Sequence, residues 1–385
     1  MLARWPLGWV ALGTFLVALV LALGSLAAVL GWLGLLSRSA FHSSTGTVLD
    51  VVKLVLGAVA GVGALVGLVI AYRRQLVAET ADDRERTRLF NERFNAAASQ
   101  LGSDRAGVRQ AGIYSMEGLA DDWPAGRQKC VDVLCALARR GHVLEPAPDA
   151  LIEDRLAWDD DRQFRHAIMR VVAAHLGPDA AVSWQGGTFD FTGALIDGGD
   201  LEGIELTGGE LIFAGARFVA DAPLVLRGSR IVKGLLDVRN AVFESGGLDL
   251  SKVAVGPDAT VNFSDARFEN GCLDLRTTAI EGRCYLCRAT LNGTEFKLEE
   301  ADLRGSIDFR DARLVDGLMR FAGARVESGR FRFGGARFEG TTLDFSEARI
   351  DGAFDFGTAT PAAPPTGVIL PSAVMQEADT EMIDS

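Results

Sequence analysis

Two pairs of cysteines are the first candidates for chemistry in this sequence. Cys284 and Cys287 form a Cys-x-x-Cys string, a spacing found in redox and zinc sites, and Cys130 lies five residues before Cys135. A structural zinc site needs four closely spaced ligands, whereas the whole chain has four histidines and five cysteines. Cys284 also occupies an apolar position of a repeat described below. We therefore predict that these thiols pack in apolar cores and that the protein has no metal and no cofactor.

Other signatures of catalysis are missing from the sequence. It contains no Gly-x-x-x-x-Gly-Lys-Ser/Thr loop for phosphates, no Gly-x-Ser-x-Gly elbow for a nucleophilic serine and no paired histidine ligands. The sequence therefore predicts a protein that is not an enzyme and has no catalytic residues.

Charged side chains recur at two positions of the same repeat. The arginines at the first position form a candidate interaction surface: Arg217, Arg230, Arg267, Arg313, Arg325, Arg337 and Arg349. The aspartates at the second position are Asp190, Asp237, Asp249, Asp274, Asp308, Asp344 and Asp355. We expect both sets to point outward, in basic and acidic ladders that alternate around the fold. Two interpretations stay open, namely solubility through exposed ion pairs and a docking surface for a protein partner.

The repeat itself runs through the second half of the chain. A six-residue unit, apolar-x-x-small-x-apolar, begins at Phe191 and recurs as far as Phe356, with successive starts 10 to 13 residues apart. A second apolar residue usually lies two positions before each start, as in Leu343-Asp344-Phe345, and this alternation is typical of short strands. The periodicity predicts a solenoid of about seven coils, each made of two repeats and about 24 residues.

The repeat resembles that of the pentapeptide-repeat family, whose unit is Ala-(Asp/Asn)-Leu-x-x. Ala301-Asp302-Leu303-Arg304-Gly305 matches this unit, and Ala266-Arg267-Phe268 matches its inward positions. The sequence departs from the family in carrying insertions between alternate faces and Leu or Phe where the family prefers Ala. The resemblance implies an all-β, right-handed, four-sided β-helix over residues 181–358, with a wider or irregular coil. The layout of the whole chain also resembles membrane-anchored actinobacterial members of the family.

Two apolar segments near the amino terminus predict a membrane anchor. No ionisable side chain occurs between Trp5 and Leu36, and a second apolar run extends from Leu54 to Ala71. About 20 apolar residues span a bilayer, whereas the apolar core of a cleaved signal peptide has only about 7–15. We therefore predict a two-helix transmembrane anchor over residues 1–72.

The orientation of this anchor follows from the basic residues near its ends. Arg4, Arg73 and Arg74 flank the outer ends of the hairpin, against Arg38 and Lys53 in the connection. This distribution favours a multi-pass protein of the cell membrane with both termini in the cytoplasm. Small residues in the second span also favour close helix packing and allow a homo-oligomer through the glycine-rich helices; they are Gly57, Gly61, Gly63 and Gly67.

Two further regions complete the predicted organisation. Residues 73–180 form a small all-α linker segment, with helices expected at 72–101, 106–120, 127–139 and 152–176. Residues 359–385 form a flexible acidic tail. Within it, residues 367–370 are expected to cover the open end of the solenoid.

The charge distribution and the predicted architecture together favour an interaction protein. Residues 181–385 hold 32 acidic and 20 basic side chains, which argues against direct binding of nucleic acid. We interpret the chain as a non-catalytic, membrane-tethered interaction or scaffold protein that presents a β-solenoid to a protein partner in the cytoplasm. The alternative, an acidic DNA-mimic regulator of a topoisomerase-like enzyme, is what the family resemblance implies, and the arginines and the membrane tether argue against it.

Overall fold

The computed structural model describes residues 45–140, 146–147, 149–219, 222–269, 271–355 and 368–369, together with six single helical positions between residues 13 and 31. The chain divides into two compact units, Met1–Asn91 and Glu92–Ser385. Apart from those single positions, the first predicted membrane span lies outside the described residues, as does nearly all of the predicted tail.

One long helix, α1 (Thr45–Leu101), contains the second apolar run. Among the described residues, α1 is the one helix that is both long enough and apolar enough to cross a membrane. The leucines of this apolar run are strongly exposed where the structure describes their side chains, as illustrated by Leu54 at 69% and Leu68 at 67%. The two-helix anchor over residues 1–72 therefore stays a prediction, since a single candidate span is described.

Three further helices follow α1 within the second unit. They are α2 (Ala106–Asp122), α3 (Arg127–Ala138) and α4 (Ile152–Leu176), with a short 3₁₀ turn at Pro124–Gly126 between the first two. These bounds lie within two residues of the predicted ones. Helix α2 ends before Pro124, because proline cannot continue a helix. Its buried residues Ile113, Met116 and Leu119 are spaced three apart and form one apolar face.

The remainder of the second unit is a parallel β-solenoid with four sides. The chain visits the sides in the order one to four and then returns to the first, where each new strand pairs in parallel with the strand of the previous coil. Two long strands, β8 (Arg230–Asp237) and β11 (Ala254–Asn262), turn the corner between the fourth side and the first and belong to both.

Each of the other strands belongs to one of the four sides. The first side holds β1 (Thr188–Asp190), β5 (Glu210–Ile212), β15 (Arg283–Tyr285), β19 (Ser306–Asp308), β23 (Arg330–Arg332) and β27 (Ala353–Asp355). The second side holds β2 (Leu195–Ile196), β6 (Arg217–Phe218), β9 (Val242–Phe243), β12 (Arg267–Glu269), β16 (Thr290–Asn292), β20 (Arg313–Val315) and β24 (Arg337–Glu339). The third side holds β3 (Gly199–Asp200), β7 (Leu224–Val225), β10 (Leu248–Asp249), β13 (Cys272–Asp274), β17 (Glu295–Lys297), β21 (Leu318–Arg320), β25 (Thr342–Asp344) and β28 (Val368–Ile369). The fourth side holds β4 (Glu205–Leu206), β14 (Ala279–Ile280), β18 (Asp302–Leu303), β22 (Arg325–Val326) and β26 (Arg349–Ile350).

Seven coils of 22 to 25 residues separate β1 from β27, as the strand registers on the first side show. This confirms the predicted number of coils and the two repeats in each. The variable coil length, with a register shift between Val255 and Asp258, matches the irregular coil that the insertions predict. Strand β28 pairs with β25, so the segment predicted to cover the end of the solenoid extends its third side.

Apolar side chains fill the interior and stack from coil to coil. The rings of Phe218, Phe243 and Phe268 lie in register on the second side, with centroids 4.1 and 4.2 Å apart. Phe321 and Phe345 stack in the same way at 4.2 Å. Because each coil covers its rings with those of its neighbours, no coil has an apolar core of its own.

Helix α3 and the connection that follows α4 close the amino-terminal end of the solenoid by supplying hydrogen bonds to its first strands. The side chain of Gln128 donates to the carbonyl of Thr188 at 2.7 Å and accepts its N–H at 3.1 Å, as a neighbouring strand would. Gln185 pairs in the same way with the first strand of the fourth side. Its amide oxygen accepts the N–H of Thr207 at 2.9 Å, and its amide nitrogen donates to the backbone carbonyl of Glu205. Unpaired strand edges invite association with other chains, so these amides protect the open edge.

A two-residue turn follows each strand of the first and the third sides up to β25, beginning one residue after the apolar residue that starts a repeat unit. The second residue of this turn has a positive φ. Glycine occupies this position in several coils, but in one coil it is Thr277, with φ of 55°. A β-branched residue is strained in this region, because its Cβ crowds the backbone.

We expect Thr277→Asn to stabilise the protein by about 1 kcal/mol, because asparagine enters the left-handed region at lower cost than a β-branched residue. Urea denaturation would measure the gain. Lys252→Asn, at the equivalent turn where φ is 60°, is the control and should gain less, because lysine is not β-branched. A Thr277→Asn variant no more stable than the original chain would show that the turn is not strained.

Candidate interaction surface

The seven predicted arginines lie on two sides of the solenoid and not on one. Four begin strands of the second side and three lie at strand starts of the fourth, and all seven are exposed. The second-side group is Arg217, Arg267, Arg313 and Arg337, and the fourth-side group is Arg230, Arg325 and Arg349. The aspartates lie on the first and third sides, so the predicted alternation of basic and acidic sides is confirmed.

Three of these arginines already have carboxylate partners within the solenoid. Arg217 pairs with Glu244 at 2.7 Å, Arg230 pairs with Glu205 at 3.3 Å, and Arg313 pairs with Glu339 at 2.8 Å. The hydrogen bond from Arg313 lowers the pKa of the Glu339 carboxyl. Exposed ion pairs of this kind contribute little to stability. They fit the interpretation that these arginines serve solubility.

The side chains of the other four arginines, Arg267, Arg325, Arg337 and Arg349, form no hydrogen bond or ion pair with any residue that the structure describes. Arg325 and Arg349 are register partners on adjacent coils. Arg337 lies in the same way beside Arg313. Like charges directly opposite each other in a sheet are destabilising. These positions therefore carry positive charge that no ion pair of the described chain neutralises, although the charge of Arg337 helps to lower the pKa of the Glu339 carboxyl.

The aspartates occupy the outward strand positions, as predicted, but most of them do not form the exposed acidic ladder that was expected. Four of them are at most 9% exposed, namely Asp237, Asp249, Asp274 and Asp308. In each, the side chain bends over the following turn, where Oδ1 accepts the backbone N–H of the residue two positions on, at 2.9 to 3.1 Å. Asp190 and Asp344 make the same bond. The repeated aspartate is therefore a cap for the turn.

Arginine side chains cover three of the buried carboxylates. Arg239 lies over Asp237, Arg276 over Asp274 and Arg310 over Asp308, each with N–O distances of 2.6 to 2.8 Å. The sequence signal for this arrangement is an Asp-x-Arg string, which the reading of the two charge ladders missed. Because these aspartates are buried and paired, they contribute little negative potential to the surface.

The paired aspartates make the stability of the solenoid sensitive to acid. Burial raises the pKa of the Asp308 carboxyl, but the hydrogen bonds from Arg310 outweigh this effect and hold the pKa below its ordinary value. The pKa of Asp249 is lowered in the same way, by Ser251 and Arg227 against the effect of burial. A carboxyl whose pKa is lowered by folding stabilises the protein above its unfolded pKa, about 3.9, and loses that contribution as the pH falls through the folded value.

We therefore expect the free energy of unfolding to fall with decreasing pH below about pH 4. Urea denaturation at a series of pH values would measure this dependence. Asp308→Asn should flatten the slope, because one of the responsible carboxyls is removed. A slope that is unchanged in this variant would contradict the assignment for Asp308.

Three of the four cysteines considered above, Cys130, Cys135 and Cys284, are buried as the sequence predicts, whereas Cys287 is only partly buried. Cys284 points into the solenoid and is 2% exposed, and burial raises the pKa of its thiol to about 12. Burial also raises the pKa of Cys130 to about 11 and that of Cys135 to about 12. Cys287 lies in the adjacent turn, where its sulfur is 3.8 Å from the carbonyl oxygen of Asp308. Across the described residues, no three His, Cys, Asp or Glu side chains are grouped as metal ligands.

A buried cluster of charges joins α4 to the first coil, and sequence reasoning did not find it. Arg165, only 1% exposed, donates to the carboxylate of Asp197 at 2.6 Å and also pairs with Asp161. His166 lies 2.9 Å from the other oxygen of Asp197. Burial raises the pKa of Asp197, but His166 and Arg165 outweigh it and hold the pKa below its ordinary value. The cluster fixes the helices to the solenoid.

Comparisons with known proteins add little to this description. No protein-family model matches the chain, and no curated protein matches it. Among solved structures, the chain is similar to full-length QnrB1, described as a plasmid-mediated fluoroquinolone resistance protein. The identity is 10% and the TM-score 0.13, and the match covers 46% of this chain and 95% of QnrB1. Similarity at this level assigns neither a family nor a function. The architecture therefore rests on the strand pairing, which defines a four-sided parallel β-solenoid of seven coils closed at its amino-terminal end by helices.

Proposed function

We propose that this protein is a non-catalytic interaction protein, tethered to the cell membrane, that presents its solenoid to a protein partner in the cytoplasm. The observation that carries the proposal is the set of four exposed arginines without a partner in the described chain, held at regular positions on a stacked scaffold. Arginine suits protein recognition, because its planar guanidinium binds carboxylates through two parallel hydrogen bonds.

The shape of the solenoid supports binding rather than catalysis. Its interior is filled by stacked phenylalanine, leucine and alanine side chains. A surface groove of about 560 Å³ is lined by Arg227, Lys252, Arg276 and Glu300, among others. Both of its arginines are already paired, Arg227 with Asp249 and Arg276 with Asp274. Ser251 also lines the groove, and its hydroxyl donates to the Asp249 carboxylate at 2.6 Å. That carboxylate caps its own turn and pairs with Arg227, so it serves the structure rather than acting as a free general base.

The membrane tether is supported by the apolar part of α1. Residues 54–72 carry no charged side chain, and their leucines have no covering from the described chain. An exposed apolar helix is costly in water but not in lipid. The basic pair Arg73 and Arg74 at its end favours a cytoplasmic position for the segment that follows. The open faces of Gly57 and Gly61, where an added Cβ would meet no atom within 4 Å, are available for a second helix or a second copy of the chain.

The alternative function, mimicry of DNA toward a topoisomerase-like enzyme, has weaker support. The excess of 32 acidic over 20 basic residues beyond residue 180 favours it. Four of the seven aspartates that would form the acidic ladder are instead buried turn caps, namely Asp237, Asp249, Asp274 and Asp308, and each pairs with an arginine. A DNA mimic needs exposed negative charge at regular spacing, and these positions do not offer it.

Proximity labelling tests the two functions against each other. A biotin ligase fused to the carboxyl terminus in native cells should label cytoplasmic proteins at the cell envelope, and the fusion should sediment with membranes. The same fusion lacking residues 1–72 is the control and should lose the envelope labelling. Enrichment of a topoisomerase by a fusion found in the soluble fraction would overturn the proposal.

A further inference from the structure

The last coils of the fourth side carry an uncompensated pair of positive charges. Arg325 and Arg349 begin β22 and β26 and are register partners, so they lie one above the other at the spacing of neighbouring strands, about 4.8 Å. Both are exposed, and neither makes an ion pair with the described part of the chain. Such a pair is destabilising by itself, and an anion that binds both guanidinium groups removes the repulsion.

Three carboxylates near this pair are bound by another arginine. Arg304, on the same side, pairs with Asp302 at 2.8 Å, Glu327 at 3.6 Å and Glu281 at 3.9 Å. Asp302 is the register partner of Arg325, yet its ion pair is with Arg304.

A third free arginine extends this surface around the corner. Arg330 begins β23 on the first side, five residues after Arg325, and is exposed. It makes no ion pair with any described residue. Arg325, Arg330 and Arg349 together form what we name the terminal arginine patch.

We infer that the terminal arginine patch binds a short acidic segment of a partner protein, through paired hydrogen bonds from the guanidinium groups to its carboxylates. The inference rests on the proposed function and names the chemistry of the partner. A short segment contacts the patch alone. A long polyanion such as nucleic acid, or the plane of an anionic membrane, would also meet the rest of the chain beyond residue 180, a region that holds 32 acidic and 20 basic side chains in all.

Fluorescence anisotropy with the full chain in detergent tests this inference. The probe is a fluorescein-labelled glutamate-rich peptide, compared with the same peptide carrying glutamine in place of glutamate. We expect the glutamate peptide to bind and the glutamine peptide not to bind. The double variant Arg325→Ala/Arg349→Ala should weaken binding at least about tenfold, because two charge-assisted contacts are lost. The affinity of Arg325→Lys/Arg349→Lys for the glutamate peptide should lie between that of the original chain and that of the alanine variant, since lysine keeps the charge but not the paired geometry.

The matched control is Arg217→Ala/Arg313→Ala, because these exposed arginines are already neutralised by Glu244 and Glu339. The control should change the affinity less than twofold, and thermal unfolding should show that both double variants remain folded. The inference is overturned if the original chain does not bind the glutamate peptide, or if the control weakens binding as much as the patch variant. Tighter, patch-dependent binding of a single-stranded DNA oligonucleotide or of phosphatidylglycerol vesicles would also overturn it.

Failure of this inference is distinguishable from failure of the proposed function. If the peptide does not bind but proximity labelling still finds envelope proteins, only the acidic nature of the contact is wrong. If the labelling fails as well, the interaction function itself is wrong.

Discussion

Ala312→Glu is expected to unfold the coils around it and to lower the free energy of unfolding by at least about 4 kcal/mol. Ala312 is 0% exposed and follows the turn after Phe309, with its methyl group in the interior stack. A glutamate there places an unpaired charge among apolar rings and also exceeds the available volume. Hydrogen exchange should show lost protection in β16, β20 and β24, because each coil depends on its neighbours.

Ala322→Glu is the matched control for this prediction. Ala322 is the outward residue of a corner turn, and the equivalent turns carry Glu202 and Glu299. The same substitution ten residues away should therefore change stability by less than about 0.5 kcal/mol. Equal melting of the two variants would show that the inward and outward assignments are wrong.

Asp197→Ala is expected to have the second largest effect, a loss of about 3 kcal/mol. The substitution leaves the buried guanidinium of Arg165 with fewer carboxylate partners and removes the acceptor for His166. Because this cluster joins α4 to the first coil, the loss should appear first as hydrogen exchange in α4 and β2. Removing one partner of a buried ion pair costs much more than an exposed pair is worth, since the remaining charge stays desolvated.

The control for Asp197 lies three residues further along the chain. Asp200 is exposed and accepts only the N–H of Glu202, at 2.9 Å. Asp200→Ala should cost about 1 kcal/mol, the value of one turn hydrogen bond. If the two alanine variants are equally stable, the charge cluster does not hold the helices to the solenoid.

The repeat made most of the fold predictable from the sequence. Inward positions such as Phe309 and Ala312 recur at a nearly constant interval, and a constant interval translates directly into stacked coils. Helix bounds were predictable for a similar local reason, as Pro124 and the spacing of apolar residues in α2 illustrate. Both signals lie within a few residues of the element that they define.

The pairing of charges was not predictable, because it depends on contacts between coils. The partner of Arg313 is Glu339, 26 residues later, and coils of 22 to 25 residues obscure that register in the sequence. The buried position of Asp308 was missed for another reason. Alternation correctly predicts the direction in which its side chain leaves the strand, but not that the carboxylate returns to its own turn beneath Arg310. The amides of Gln128 and Gln185 likewise carry no local sign that they close a sheet edge.

Distances between spin labels along one side of the solenoid test the central claim most directly. The second-side positions 217, 242, 267, 290, 313 and 337 lie in successive coils. Labels introduced at Arg217 and Arg313 as a non-canonical amino acid, with the native cysteines intact, should be about 19 Å apart, and labels at Arg217 and Arg337 about 24 Å. Such regular growth by about 4.8 Å per coil is what stacked rungs require. Distances that do not increase with the number of coils would contradict the solenoid and, with it, the surface on which the proposed function depends.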